Sequence, residues 1–86
     1  MATKRKKLNL EIIGSNLSEA IEELERLRDR ASTGELNEAD LQVRLCHAYH
    51  HLNFAWNIRY VSTSEYAKLT NSQFERWGKY PADLED

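Results

Sequence analysis

From Glu38 to about Tyr60 the chain reads as one helix with apolar side chains on two nearly opposite faces. Leu41, Leu45, Ala48, Leu52, Ala55 and Trp56 share the first face, and Val43, His47, Phe54, Ile58 and Val61 share the second. An ordinary surface helix buries a single stripe, whereas a helix apolar on two sides is covered on two sides. Any fold for this chain must therefore set one element against each face. The start of this helix is sharply marked. Asn37 is the cap, Asp40 stands three residues on, and Leu36 and Leu41 occupy the staple positions around them.

The first covering element lies upstream. Asn16 followed by Glu19 has capping-box spacing, with Ser15 and Ser18 as alternative caps. Leu17, Ala20, Ile21, Leu24, Leu27 and Ala31 then form one stripe. Acids come first (Glu19, Glu22, Glu23, Glu25) and bases later (Arg26, Arg28, Arg30), as the helix dipole favours. Glu22 and Arg26 are an i,i+4 pair, and Gly34 supplies the stop. This predicts a helix over about 17–32. Ahead of it, Leu8, Leu10 and Ile12 alternate with Asn9 and Glu11, which predicts a short strand or extended arm over 8–13.

Downstream, Ser62 with Glu65 and Thr70 with Gln73 repeat the capping spacing. They predict short helices over about 63–69 and 71–77, ended by Gly78 and Pro81, or one bent helix over 63–77. All eight aromatic residues follow position 48, so this end supplies the aromatic part of the core. The expected fold is all-α. An antiparallel hairpin of helix 1 (about 17–32) and helix 2 (about 38–60) carries short C-terminal helices, residues 8–86 forming one domain after a disordered basic tail at 1–7.

Eighty-six residues support only a thin core, so a second copy is an attractive source of burial. Two hairpins would make a four-helix core, with Val43, Phe54, Ile58 and Val61 as candidate interface residues. The alternative cover for that face is the pair of C-terminal helices.

Charge narrows the function classes. The net charge is −2, but Lys4, Arg5, Lys6 and Lys7 leave the rest of the chain at about −6. Those four bases can attract phosphates without reading bases, and the acidic body argues against a nucleic-acid-binding face. The apolar stretch at Leu8–Ile13 is interrupted by Asn9 and Glu11, too short and broken for a signal or membrane segment. A single cysteine, Cys46, fits a reducing compartment. These features predict a cytoplasmic protein.

Two constellations carry possible chemistry. His47 and His51 at i,i+4 could share one metal ion, but no second His/Cys cluster completes the site. Ala48 stands where a zinc-protease helix needs glutamate. Cys46, His50, Asn53 and Asn57 form a polar stripe on helix 2 with the residue types of a thiol hydrolase. Nothing beside it supplies an oxyanion hole or a cleft, so the stripe is expected to be a solvent-facing or water-bridged edge. No phosphate loop or paired-carboxylate motif is present. The sequence thus predicts a small non-enzymatic interaction module without a cofactor. It would self-associate or bind another protein through helix 2. A metal-binding protein using His47 and His51, or a nucleic-acid accessory protein using the tail, are the other expectations.

Overall fold

The computed structural model describes residues 7–84. The basic tail expected at 1–7 lies outside them except for Lys7, which is exposed. Four helices follow in chain order: α1 (Leu10–Thr33), α2 (Glu38–Asn57), α3 (Thr63–Ala67) and α4 (Asn71–Trp77). The long α1 and α2 lie against each other as a helical hairpin, and no strand occurs among the described residues.

The caps expected at Asn37, Ser62 and Thr70 all form. Each side-chain oxygen accepts the amide three residues on, at Asp40, Glu65 and Gln73. At the hairpin bend Gly34 takes φ 75°, the left-handed region, and the amide of Glu35 bonds back to Arg30 O at 2.9 Å.

The extended arm expected over 8–13 is not there. Helix α1 begins at Leu10, one and a half turns or more before the expected cap at Asn16. Asn9 is the true cap: its Oδ1 accepts the Ile12 amide at 3.2 Å. Its backbone N–H donates to Arg59 O at 2.7 Å, and its Nδ2 donates to Val61 O at 2.8 Å. Those carbonyls belong to the turn that ends α2, so tertiary contacts anchor the helix start. Asn16 is instead buried inside α1.

Gly14 lies within α1 on its exposed side, and a Cβ there would meet nothing within 4 Å. Gly14→Ala is expected to stabilise the fold by about 0.5–1 kcal/mol, because glycine in a helix interior is that much worse than alanine. A rise in the urea midpoint with unchanged slope is the readout.

Helix α2 ends at Asn57, short of the expected Tyr60. Ile58 bonds back to Phe54 O, and the next amide tightens to Trp56 O at 3.2 Å, closing the helix in a turn. Helix α3 likewise stops at Ala67 instead of residue 69, and α4 spans 71–77 as expected.

The covering of α2 differs from the sequence expectation in its rotation. Helix α1 meets α2 along a mixed ladder, and of its expected apolar stripe only Ala20 and Leu27 are buried. His51 Nδ1–H donates to Asn16 Oδ1 at 2.8 Å, Glu23 faces Arg44 at 3.7 Å, and Arg30 pairs with Asp40 at 2.9 Å. Between these rungs fall Ala20 and Ala48, both almost wholly buried. Small side chains at a crossing let two helices approach closely. The C-terminal half of the second face of α2 is closed within the chain, while Val43 and His47 stay exposed. Ile12, Phe54 and Ile58 form the core cluster, and Val61, Tyr66 and Trp77 pack against it. Phe54 and Ile58 are 3% and 0% exposed, so these expected interface residues are internal core. Val61 is half-buried beside them, and only Val43 of that set stays open, at 57%.

Candidate functional site

Rotating the hairpin contact onto the polar ladder buries Leu27 but leaves the other α1 leucines outside. On α1, Leu10, Leu17, Ile21 and Leu24 are exposed, and at about 100° per residue they share a stripe about 60° wide. Ile13 sits half-buried at its edge. On α2, Leu52 and Tyr49 are exposed, and Leu41, Leu45 and Trp56 are half-buried on the same side. Each stripe is displaced by roughly a quarter turn from its helix's side of the ladder. In an antiparallel pair these displacements bring both stripes to one side of the hairpin. A shallow groove of about 280 Å³ joins them near one end, lined by Leu8, Ile13, Leu52, Ala55, Trp56 and Arg59. The result is a continuous apolar face built from both long helices.

One end of that groove is framed by Trp56, Arg59 and Asp83. The Arg59 guanidinium lies 3.8 Å from the Trp56 ring centre, and its Nη1 donates to Trp56 O at 2.8 Å. Asp83 bridges the two. Trp56 Nε1–H donates to it at 3.0 Å and Arg59 Nη2 lies at 3.4 Å. The Trp56 hydrogen bond, helped by Arg59, holds the Asp83 carboxyl below the usual carboxylate range. This ties the C-terminal segment to the end of α2.

The polar stripe of α2 has a structural task that local reading missed. Asn53 Nδ2 donates to Gly78 O at 2.7 Å, and Asn57 Nδ2 donates to Trp77 O and Lys79 O at 2.7 and 3.0 Å. The two asparagines hold the backbone that follows α4. His50 stacks against Phe54 and meets the edge of Phe74 at 5.4 Å, while Cys46 is exposed. A Cβ on Gly78 would stand 2.9 Å from Phe74 O and 3.2 Å from the His50 ring, so this turn needs glycine for close approach. The signal in the sequence was the pair of asparagines four apart, but their partners are carbonyls at least 20 residues away.

The histidines expected as metal ligands are not brought together with a third ligand. His47 is exposed and lies 3.9 Å from Glu23, and among the described residues no group of three or more His, Cys, Asp or Glu is placed to hold a metal ion. The Oε2 of Glu23 is buried without a hydrogen bond; Arg44 lies 3.7 Å and His47 3.9 Å from it, and Arg26 lies 3.9 Å from Oε1. His51 is spoken for by Asn16. Asn16 Nδ2 donates to Ile12 O at 3.0 Å, so its Oδ1 is the acceptor and His51 carries its proton on Nδ1.

Burial pushes the His51 pKa below the ordinary histidine value, and the nearby His47 and His50 add to that against the pull of Glu19 and Glu23. A lowered histidine favours the fold in its neutral form. Its contribution is full above about pH 6.5 and is lost as pH falls below that toward the folded-state pKa. The expected result is a thermal midpoint that declines on acidification below about pH 6.5. His51→Asn, whose Nδ2 can take the place of Nδ1–H, flattens that decline. An equal decline in both proteins would contradict the assignment.

Of the expected nucleic-acid contacts, Lys4, Arg5 and Lys6 lie outside the described residues, and Lys7 makes no part of the apolar face. No helix among the described residues is long and apolar enough to cross a membrane. No protein-family model matches the chain, and neither a curated protein nor a solved structure shows similarity to it.

Proposed function

We propose that this chain is a small non-enzymatic interaction module of the cytoplasm that docks protein through the leucine face of its hairpin. One observation carries the reading: Leu10, Leu17, Ile21, Leu24, Tyr49 and Leu52 are exposed along one side of two packed helices. Scattered exposed leucines are normal on a protein surface, but a contiguous apolar face marks an interaction site. Covering each such side chain stabilises a complex by up to about 1.5–3 kcal/mol. Tyr49 and Trp56 at the edge of the face are residue types enriched at interfaces. The free thiol of Cys46 supports a reducing compartment.

Capture from native lysate tests the reading. Immobilised chain is expected to retain a protein, its own copies included, that a Leu24→Glu bait loses. Equal retention by both baits, or none by either, contradicts it.

A further inference from the structure

We infer that the occupant of the leucine face is a second copy of this chain, packed about a twofold axis so that two hairpins share one four-helix core. The inference rests on the interaction-module reading and names its partner. It uses a different surface from the Phe54 and Ile58 face that the sequence suggested.

The first argument is charge. Between Arg28 and Glu38 at the bend and Arg59 at the far end, the face carries Ile13, Leu17, Ile21, Leu24, Leu41, Leu45, Tyr49, Leu52 and Trp56 and no charged side chain. A twofold contact sets a patch against itself, so any charge at its centre would meet its own twin. This face has none there. An axis parallel to the helices places α1 of one copy over α2 of the other. Glu25 on the outer edge of α1 then lies beside the uncharged edge Gln42, Cys46 and Asn53 instead of beside itself.

The second argument is area. The charge-free part of the face on α1, over residues 10–27, is about 27 Å long at 1.5 Å per residue, and two helices side by side are about 18–20 Å wide. The face therefore covers roughly 500 Å² per copy, or about 1,000 Å² in a dimer, at the lower bound for a specific interface.

The third argument is the thin core. Among the described residues the large apolar side chains buried within one chain are Ile12, Leu27, Phe54 and Ile58, joined by Ala20 and Ala48. Six large ones stand exposed on the leucine face alone. A chain this size gains most from doubling its core.

Sedimentation equilibrium on the purified full chain tests the inference. The expected wild-type mass at micromolar concentration is twice 10.1 kDa. Leu17→Glu or Leu24→Glu is expected to raise the dimer dissociation constant at least about 100-fold, as loss of a central interface residue does. Val43→Glu, on the opposite side of α2, leaves it within about threefold. Wild-type chain that stays a folded monomer up to about 100 μM overturns the inference, whatever the variants do. So does a dimer broken by Val43→Glu but not by the leucine variants. If the chain is monomeric while lysate capture still depends on Leu24, the face takes another protein and only the second-copy assignment falls. If capture is also indifferent to Leu24, the module reading falls with it.

Discussion

Phe54→Ala is expected to destabilise the chain by about 3–5 kcal/mol, the usual cost of removing a buried phenylalanine ring. Phe54 is buried at the point where α2 meets everything downstream. Its ring lies 5.4 Å from Phe74 and 6.3 Å from Tyr66, both near edge-on, and 6.3 Å from His51. These rings belong to α4, α3 and the α1-facing side of α2, and His50 also stacks on Phe54, so one deletion loosens four ring contacts. A domain of this size holds roughly 4–13 kcal/mol in total, so the variant should be largely or wholly unfolded in mild urea. Val43→Ala, one exposed residue on the same face, should change the midpoint by no more than about 0.5 kcal/mol. Both are compared at one protein concentration, because self-association would add to the apparent stability. A Phe54→Ala cost below about 1 kcal/mol would mean that the aromatic cluster is not packed as described.

Asn9→Ala is expected to cost about 2 kcal/mol. Roughly 1 kcal/mol comes from the lost cap on α1 and a similar amount from the buried end of the Nδ2 bond to Val61 O. Asn9→Asp separates the two contributions, since it keeps the acceptor for Ile12 N and removes the donor to Val61. Amide exchange gives the local signature. The first turn of α1, around Ile12 and Ile13, should open far faster in Asn9→Ala than in the wild type, while Leu27 is little affected. If the amides of residues 12–16 already exchange freely in the wild type, α1 begins near Leu17 after all.

Asn9 also shows why the start of α1 was illegible. Its cap is local, but two of the bonds that fix it run to Arg59 and Val61, some fifty residues on. Asn16 with Glu19 offers the same local spacing. The alternation of Leu8, Leu10 and Ile12 then suggests an extended segment where the leucine actually points outward from a helix. By contrast, Asn37, Ser62 and Thr70 were legible because each cap and its amide lie three residues apart.

The apolar stripes were legible as well, but not which of them meet. Hydrophobic periodicity assigns the widest leucine stripe to the inside. Here α1 and α2 meet through Asn16 and His51, Glu23 and Arg44, and Arg30 and Asp40, with Ala20 and Ala48 between them. Polar residues that face each other across a helix pair carry no such signal in one chain's pattern. The two-sided character of α2 called for two covers. Its Phe54 side takes the C-terminal helices, held by Asn53 and Asn57, whereas Tyr49 and Leu52 on the leucine side stay exposed.

If the leucine face meets a second copy while the Phe54 and Ile58 cluster is closed within each chain, contacts between copies arise at the leucines alone. Isotope-filtered NOE spectroscopy on a mixture of carbon-13-labelled and unlabelled chain tests it most directly. Intermolecular contacts are expected from the methyls of Leu17, Leu24 and Leu52, and only intramolecular contacts from Ile58. Intermolecular contacts at Ile58, or none from the three leucines, would contradict it.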